Sequence, residues 1–445
     1  MFILYSALIG LFFLSIFIHS FILDYLVGFM AILAILFSFK DAKKLYQIAG
    51  SVFILIALLL FNETGRPWYE MPFLATSTVI LIAIFYVLPF INSIIVIGRY
   101  DQSVNKLLKT KSTHLGQLYY RASITSFLLG SFLNIATIPL VQQVLKKNLK
   151  HLAGKLQHKF ISQTMLRGYA LCLVWSPMEI LVAITIDITG VSYLKLLPWM
   201  LLFSVLLLVI DWAIGWRFKK YATDQGQKSE VMIGKRNIRK IIMMLVYLAL
   251  FISTIIVIRE SFELNFLTTV ALVIVPYSFL WAFSIRRIKS YTLYSVKMWK
   301  TRTANLQNYT VLFLSVGFFI SVLRESGHIS ILQQPLLLLV NNPLLLFVMI
   351  QLLFLSLAMV GFHPLVVISI LGEILVPVLS ILNPLSIGIV LITSSLSTIM
   401  AGPYNITVSL TGVLLDENPY QISIWNLGYA FLFSSIGTIM ALFLL

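Results

Sequence analysis

Charge is scarce in this chain, and cysteine is nearly absent. Of its 445 residues 11% are charged, whereas 60% are hydrophobic. A soluble protein of this length could not bury so much apolar surface, so the composition excludes an ordinary soluble domain. The single cysteine, Cys172, lies in an apolar run, which excludes disulfide bonds and cysteine-based metal sites. We therefore expect a membrane protein.

Nucleotide-binding and metal-binding motifs are missing as well. The sequence contains no GxxxxGK[ST] loop, no GxGxxG fingerprint, and neither HExxH nor CxxC. Its longest polar stretch, near residues 217–240, is too short to fold as a separate motor domain. These absences argue against an ATP-driven pump and against an enzyme. We expect no cofactor, apart from Na⁺ as a coupling ion.

Apolar runs of about 17–25 residues recur along the chain, and each is long enough to cross a bilayer. They predict an all-α polytopic membrane protein with about 11 transmembrane helices. The first run has neither a basic n-region nor a cleavage site, so we interpret it as a retained helix. The predicted spans are residues 2–18, 22–39, 47–61, 72–98, 160–189, 196–215, 240–258, 265–285, 307–325, 385–413 and 421–443.

The sequence repeats itself at an offset of about 225 residues. Residues 131–141, SFLNIATIPLV, align without a gap on residues 356–366, SLAMVGFHPLV. Residues 177–185 align in the same way on residues 403–411, and both segments begin with proline. Duplicated apolar segments that proline interrupts are the best sequence indication of the central site of a secondary transporter.

The repeat predicts an inverted five-span architecture with two re-entrant hairpins and two broken helices. Each half contains an apolar insert, at about residues 122–145 and 343–380, that we interpret as a hairpin turning back within the membrane. The first hairpin is expected to enter from the cytoplasm and the second from outside. The chain then divides into an additional N-terminal helix, repeat 1, a cytoplasmic basic linker and repeat 2, which are residues 1–21, 22–216, 217–239 and 240–445.

The net charge of +16 follows from topology rather than from nucleic acid binding. With a cytoplasmic N-terminus, the inward stretches carry 28 Lys and Arg and the outward stretches carry four. We therefore expect a multi-pass protein of the cell (plasma or inner) membrane with its C-terminus outside. The lipid bilayer is its expected partner, nucleic acid is not, and a homodimer stays open.

The basic stretches have their own predicted structures. Residues 217–240 and 286–302 are expected to form solvated basic loops on the cytoplasmic side. Residues 142–159 place leucines at helical spacing between lysines, which predicts a basic amphipathic helix in the cytoplasmic interface. That helix would brace the first hairpin.

The turns and breaks predict the functional site. A break at mid-membrane frees backbone groups that water does not reach, so half-helix N-termini attract anions and exposed oxygens hold Na⁺. We expect the four interruptions to converge on one cavity that binds a small anion and its coupling ion. No metal site is expected, apart from Na⁺ near Asn134 and Asn405. The candidate binding residues are Ser131, Asn134, Thr137, Ser176, Glu179, Gly361, His363, Ser394, Ser397, Asn405 and Thr407.

Ionisable residues within a membrane are costly and therefore mark function by default. Glu179 follows the first break, and the equivalent residue of the second half is Asn405. Glu179 is predicted to couple transport to a proton or a cation, with a helix-capping role as the alternative. His363 either binds an anion or relays a proton, or is structural. Glu373 faces the site or a neighbouring helix, and Asp211 is expected at the membrane interface.

These features resemble the ion transporter superfamily. Its members include divalent-anion/sodium symporters, citrate–metal transporters, arsenite-efflux permeases and some sodium/proton antiporters. The run Asn134–Ile–Ala–Thr137–Ile–Pro139 is similar to the Ser-Asn-Thr-Ala-Thr hairpin tips of the symporters, and the breaks at Pro177 and Pro403 match the break positions of the family. The resemblance implies sodium sites at the hairpin tips and a dicarboxylate-like substrate.

We accordingly expect a secondary active transporter that works by alternating access. Its substrate would be a small organic anion, and its driving ion Na⁺ or H⁺. Two alternatives stay open. One is a cation/proton antiporter on the same scaffold, and the other is a flippase or membrane enzyme for a lipid-linked substrate. An anion that stimulates cation flux would separate the first expectation from the antiporter.

Overall fold

The computed structural model describes residues 1–109, 112–149, 152, 154–223 and 234–445. Within these ranges the chain is helical, with one isolated antiparallel bridge between His114 and Ala222. The α-helices are α1 (Phe2–Phe17), α2 (Phe21–Phe39), α3 (Lys44–Phe61), α4 (Met71–Leu74), α5 (Val79–Ile97), α6 (Tyr100–Asn105), α7 (Leu115–Leu133), α8 (Thr137–Asn148), α9 (Gly154–Leu173), α10 (Ile180–Thr189), α11 (Tyr193–Gly215), α12 (Lys235–Phe262), α13 (Phe266–Ser284), α14 (Ile288–Thr303), α15 (Gln307–Glu325), α16 (Ile329–Leu338), α17 (Pro343–Val360), α18 (Pro364–Ile374), α19 (Val376–Leu379), α20 (Pro384–Ala401), α21 (Ile406–Leu415) and α22 (Pro419–Leu442). Short 3₁₀ helices are Asn62–Thr64, Trp68–Glu70, Lys106–Lys109, Asn134–Ala136 and Trp216–Lys220.

Nine helical stretches of the described chain are long and apolar enough to cross a membrane. They become ten if α14 and α15, which are bent by 60° at a short break, form one span. The predicted class of an all-helical, polytopic membrane protein is therefore confirmed. The predicted set of about 11 spans differs from these nine in four helices. The helix α1 and the half-helix α10 are shorter than a full span, and α15 passes only together with α14. The helix α17, which the sequence assigned to the second hairpin, is long and apolar enough to cross a membrane. The re-entrant hairpins and the inverted repeat stay predictions.

The helices cluster into two compact units. The first unit comprises Met1–Ile94, Glu263–Leu338 and Ser369–Pro377. The second comprises Ile95–Phe262, Leu339–Ile368 and Val378–Leu445. Each unit takes segments from both halves of the sequence, so neither coincides with a predicted repeat, and the predicted repeat boundaries stay a prediction.

The first unit is built around α15, which packs against α2 and α3. In this unit α1 also packs along α2, and a buried hydrogen bond of 2.7 Å joins Tyr5 Oη to Ser38 Oγ between them. The ring of Trp299 on α14 contacts Phe2, and it also contacts Tyr86 on α5. Apolar side chains and aromatic contacts thus hold this unit together.

The second unit has two pairs of closely packed helices. In one pair α7 lies along α9, and in the other α20 lies along α22. A Cβ on Gly168 of α9 would come within 2.5 Å of the carbonyl oxygen of Ser123 on α7, so the close approach of these two helices requires glycine there. The half-helix α10 packs against α20, and α21 packs against α8 and α9. Both interrupted helices are therefore neighbours within this unit.

Local sequence explains where several helices of the second unit begin. An asparagine oxygen accepts a backbone N–H of the first turn, and the next residue is a proline, which has no N–H to leave unpaired. The bonds are short enough to be genuine caps, for example 3.0 Å between the Asn383 oxygen and the Leu385 nitrogen. The helices that begin in this way are α17 (Asn342–Pro343), α20 (Asn383–Pro384) and α22 (Asn418–Pro419).

The two half-helices that follow the breaks have matching boundaries. Both α10 and α21 have ten residues, and their ends lie 226 positions apart (406 minus 180, and 415 minus 189). The residue after each helix is left-handed, with φ of 67° at Gly190 and 56° at Asp416. The next helices begin at Tyr193 and Pro419, which are also 226 positions apart (419 minus 193).

Two predictions about basic stretches are wrong. Residues 286–302 form most of α14 rather than a loop, because Tyr291, Ser295 and Thr303 turn one face of a helix inward while charged residues stay exposed on another. Residues 142–159 do not form one amphipathic helix, since they are shared between the end of α8 and the start of α9. Of residues 217–240, those at 217–220 and 235–240 are helical, and 224–233 lie outside the described residues.

Candidate functional site

All eleven predicted binding residues lie in the second unit. Seven of them are buried, namely Ser131, Thr137, Ser176, Glu179, Ser394, Ser397 and Thr407. The other four, Asn134, Gly361, His363 and Asn405, are partly exposed. The partly exposed residues are those at the turns and at the second break, where backbone leaves the helical conformation.

The first predicted hairpin contains a tight turn at Asn134. Asn134 has a φ of 48°, and it separates α7 from α8, which pack against each other. The hydroxyl of Tyr169 on α9 donates to Asn134 Oδ1 at 2.5 Å. The turn is therefore anchored to the first broken helix through a side-chain hydrogen bond. Ser131 instead bonds back to its own helix, because its hydroxyl donates to the carbonyl of Leu128.

The first break separates α9 from α10 by six residues, 174–179. Two backbone bonds of 3.1 Å partly close it, from the Ser176 N–H to the Leu173 carbonyl and from the Glu179 N–H to the Ser176 carbonyl. The carbonyl of Trp175 is satisfied from outside the segment, since the hydroxyl of Tyr193 on α11 donates to it at 2.5 Å. Neighbouring side chains thus replace the helical bonds that the break removes.

Glu179 begins the half-helix after this break. Its side chain accepts a hydrogen bond from the Leu181 N–H at 3.4 Å, and 8% of the residue is exposed. A carboxylate at this place interacts favourably with the partial positive charge of the helix N-terminus. The capping role that the sequence left as an alternative is therefore present. A cap and a coupling group are compatible, because capping uses one of the two carboxylate oxygens.

The second predicted hairpin turns at Gly361, which has a φ of 108°. The N–H of Phe362 bonds back to the carbonyl of Leu357 at 2.9 Å, which closes the end of α17. His363 follows, and its Nδ1 accepts the N–H of Leu365 at 3.2 Å. The imidazole thus caps α18 with one nitrogen.

The second break separates α20 from α21 at residues 402–405. Asn405 Oδ1 accepts the Thr407 N–H at 3.4 Å and the Thr407 hydroxyl at 3.1 Å. The same hydroxyl is also in hydrogen-bonding contact with the carbonyl of Ile399, near the end of α20. Asn405 and Thr407 together therefore satisfy groups on both sides of the break.

The serine-rich part of α20 is fully buried. The Ser397 hydroxyl donates to the Ser394 carbonyl at 2.7 Å, so Ser397 bonds within its own helix. The hydroxyl of Ser394 has no hydrogen-bond partner among the described residues. Buried hydroxyls without partners are uncommon in native proteins, and they indicate a place for water or a ligand.

Two further buried donors near the first half of the site have no partner in the described part of the chain. They are the Thr137 hydroxyl, at the start of α8, and the indole N–H of Trp175, in the first break. The indole nitrogen donates only and cannot accept, so it can be satisfied only by an acceptor such as a carbonyl, water or carboxylate oxygen. The rings of Trp175 and Phe127 on α7 lie 5.9 Å apart, so the indole packs against the first predicted hairpin.

Each turn lies near the break of its own half. The first turn contacts α9 through Tyr169, and the end of α17 contacts the second break. A Cβ on Gly402 would lie 3.2 Å from that of Ala358. The Tyr420 hydroxyl lies 3.2 Å from the Tyr404 hydroxyl and 3.4 Å from the Met359 carbonyl oxygen, both within hydrogen-bonding distance. Helix contacts bring α10 to α20. Glu179 and Asn405 each bond within their own half-helix rather than to each other.

Glu373 does not join this group. It belongs to the first unit, where its carboxylate lies 3.6 Å from the guanidinium of Arg324 and its carbonyl accepts from Gln333 at 3.0 Å. Of the two roles that the sequence allowed, contact with a neighbouring helix is the one observed. Among the described residues there is also no group of three or more His, Cys, Asp or Glu that could hold a metal ion.

A buried ion pair is the feature that sequence reasoning missed. Arg167 Nη1 lies 3.2 Å from Asp211 Oδ1, and the two side chains are 4% and 0% exposed. Asp211 is therefore buried within the protein rather than solvated, unlike a carboxylate at the membrane interface. Its carboxylate faces inward because Tyr119 and Ser123 on α7 donate to it at 2.8 and 3.4 Å.

The fold is similar to that of a known membrane transporter. The crystal structure of the YdaH transporter from Alcanivorax borkumensis, described as having an unusual topology, matches with a TM-score of 0.62 and 13% sequence identity. The match covers 89% of this chain and 98% of that one. No protein-family model matches the chain, and no curated protein sequence matches it. At this identity the likeness shows a shared fold.

Proposed function

We propose that this protein is a secondary active transporter that carries a small solute across the membrane by alternating access. The observation that carries the proposal is the pair of half-helices α10 and α21. They lie in one unit, have identical lengths, and each begins at a capping residue directly after a break. Interrupted helices in matching places are how transporters build a site at mid-membrane. The likeness in fold to the YdaH transporter supports the same class.

The substrate in this proposal is a small organic anion. Two buried donors near the first half of the site, the indole N–H of Trp175 and the hydroxyl of Thr137, lack partners among the described residues. A carboxylate oxygen would satisfy both kinds of donor, and leaving buried donors unpaired costs about 1–3 kcal/mol each. The N-terminus of α8, where Thr137 lies, has no acidic residue in its first turn to repel an anion.

The coupling group in this proposal is Glu179. Its carboxylate is buried and has one described hydrogen bond, so a free negative charge there would be poorly compensated. Binding of H⁺ or Na⁺ removes that cost. Ion binding at Glu179 would therefore be coupled to the conformation of the first break. The same observation favours the alternative, a cation/proton antiporter, because the carboxylate of Glu179 already occupies the N-terminus of α10 that an anion would use.

The proposal includes the inverted repeat. The first hairpin, α7–α8, would enter from the cytoplasm, and the second, α17–α18, from outside. Matching helix boundaries in α10 and α21 support the repeat, and the distribution of Lys and Arg supports a cytoplasmic N-terminus. Na⁺ would bind near Asn134 and Asn405, whose oxygens lie at a turn and at a break.

Two measurements on the purified protein test the proposal. Thermal unfolding is recorded with a panel of small anions, each with and without Na⁺, because a ligand of the native state raises the melting temperature by mass action. Ligands that do so are then assayed for uptake into proteoliposomes under an imposed Na⁺ or pH gradient. Accumulation that disappears when the gradient is collapsed is expected. If cations are exchanged without any anion, and added anions leave the cation flux unchanged, the antiporter is favoured instead.

Two variants localise the site in the same assays. Asn134→Ala and Asn405→Ala each remove an oxygen at an interruption and should reduce both the ligand-induced shift and uptake. Asn418→Ala is the matched control, because Asn418 also caps a helix but lies outside both interruptions, at the start of α22. Asn405→Ala and Asn418→Ala each lose a helix cap worth about 1 kcal/mol, so these two are directly comparable. Asn134→Ala in addition places alanine at a φ of 48°, so its melting temperature is recorded beside its uptake. A uniform loss of uptake in all three would reject the assignment of the site.

A further inference from the structure

The ion pair of Arg167 and Asp211 makes several further contacts in the second unit. Each of the three guanidinium nitrogens makes a separate contact. Nη1 donates to Asp211 Oδ1, Nε donates to Asn426 Oδ1 at 3.1 Å, and Nη2 donates to the carbonyl of Trp425 at 3.2 Å. The guanidinium also lies over the ring of Tyr429, 4.6 Å from its centre. One side chain of α9 is thereby fixed to α11 and α22 at once.

The equivalent positions of the second half carry no charge. Adding the 226-residue offset of the half-helices takes Arg167 to Thr393 and Asp211 to Gly437 (393 minus 167, and 437 minus 211). These two residues also touch. A Cβ on Gly437 would come within 2.0 Å of Thr393 Oγ1, so α20 and α22 approach each other as closely as a glycine allows.

Comparing the two pairs of positions distinguishes the contribution of close packing from that of charge. Burying an ion pair costs several kcal/mol per ion, and replacing such a pair by apolar side chains of similar volume is often neutral or stabilising. In the second half, the contact of Thr393 with Gly437 holds α20 against α22 by close packing. In the first half the charged pair stands at the equivalent positions, so α9 and α11 meet there through polar bonds instead. What the ion pair adds is a set of directional contacts that fix α9 in one position.

We propose that Arg167 and Asp211 are positioning residues that set the place of α9 and, through it, the first break and Glu179. Arg167 lies six residues before the end of α9 (173 minus 167), which is roughly 9 Å of helix. Displacement of α9 must break the contacts to Asp211, Asn426 and Trp425 together, so α9 is held in one position until all of them are released. The consequence for transport rests on the proposed function. The claim that the ion pair fixes the position of α9 is independent of that function.

The single cysteine of the chain reports on this position directly. Cys172 lies on α9 next to its last residue, is fully buried, and its thiol donates to the Tyr169 carbonyl at 3.0 Å. A maleimide can reach the thiol only when the end of α9 moves. The rate of Cys172 labelling in the purified protein therefore measures local opening of α9, and it needs neither a substrate nor a transport assay.

The experiment compares the wild type with the double variant Arg167→Met/Asp211→Leu, which keeps volume and removes both charges. Its melting temperature should stay close to that of the wild type, whereas Cys172 should be labelled about tenfold faster, which corresponds to an opening about 1.4 kcal/mol easier. A control double variant, Arg66→Met/Glu325→Leu, removes an exposed ion pair of 2.8 Å and should leave the labelling rate unchanged.

A second variant keeps the test decisive if the double variant folds poorly. Arg167→Lys keeps the positive charge but cannot make three separate planar contacts, so labelling should rise by a smaller factor. Unchanged labelling in a folded double variant, or in Arg167→Lys, overturns the positioning role. Faster labelling in a protein whose wild type transports none of the tested anions would support the positioning role while rejecting the proposed substrate class.

Discussion

Glu179 and Asn405 occupy equivalent places and make the same bond. Each is the cap of a half-helix that follows a break, and each accepts the N–H of the residue two positions later at 3.4 Å. One of these two caps can therefore carry charge, and the other cannot. The backbone geometry of the two breaks is shared, and their chemistry is not. Any ion coupling at these caps is therefore expected in the first half.

Replacing Glu179 by glutamine tests this asymmetry. Glu179→Gln keeps an oxygen that can cap α10, so the melting temperature should change little, by an amount equivalent to about 1 kcal/mol or less. The variant cannot bind and release a proton. We expect it to bind substrate in the thermal-shift assay but to lose gradient-driven accumulation and the pH dependence of uptake in proteoliposomes.

The matched control is Glu260→Gln, which makes the same chemical change at an exposed position near the end of α12. It should transport like the wild type. If Glu179→Gln still concentrates substrate with unaltered ion and pH dependence, Glu179 is only a cap. The coupling group would then have to be sought at Asn134 and His363.

The bond from Tyr193 to the Trp175 carbonyl predicts a stability effect at the first break. Tyr193→Phe removes a buried donor and leaves that carbonyl unsatisfied, which should lower the free energy of unfolding by about 1–3 kcal/mol. Thermal unfolding in detergent measures the change. Tyr69→Phe, at an exposed tyrosine, is the control and should have no effect. Equal melting temperatures for the two variants would mean that the Trp175 carbonyl has another partner.

The proposed orientation predicts which residues are reached from outside. In a Cys172→Ser background, single cysteines are placed at Asn62, Ser326 and Ser290. A membrane-impermeant maleimide added to intact cells should label those at positions 62 and 326 and spare the one at 290, which lies in the basic helix α14. After permeabilisation all three should react. The opposite pattern in intact cells would reverse the orientation.

The interruptions were predictable from the sequence because their causes are local. Proline marks both breaks at Pro177 and Pro403, and a glycine or asparagine marks each turn, since those residues tolerate a positive φ. The structure places the turns at Asn134 and Gly361, within the segments that the repeat alignment had paired. The apolar runs likewise predicted most of the spans, since their lengths match the helices that are long enough to cross a membrane.

The ion pair of Arg167 and Asp211 could not be predicted in the same way. In the sequence, Arg167 follows a run of lysines that is expected to be cytoplasmic, and Asp211 lies near the end of a long apolar run, where a carboxylate is ordinarily solvated. Only the crossing of α9 with α11 brings two residues 44 positions apart into contact. The sequence does not predict helix α14, for a related reason. Its many basic residues favour a solvated loop. The only indication of a helix is the spacing of Tyr291, Ser295 and Thr303, which places them on one inward face.

The turn at Gly361 gives a last, purely conformational prediction. Its φ of 108° is open to glycine and unfavourable for any residue with a Cβ, so Gly361→Ala should lower the free energy of unfolding by about 1–2 kcal/mol. Gly10→Ala is the matched control, because Gly10 lies within α1 with open space around its Cβ position, and alanine there should stabilise the helix by about 0.5–1 kcal/mol. The two melting temperatures should therefore move in opposite directions. If Gly361→Ala is as stable as the wild type, residue 361 has a negative φ in the protein and α17 continues through it. The segment up to His363 is then part of a span rather than the turn of a hairpin.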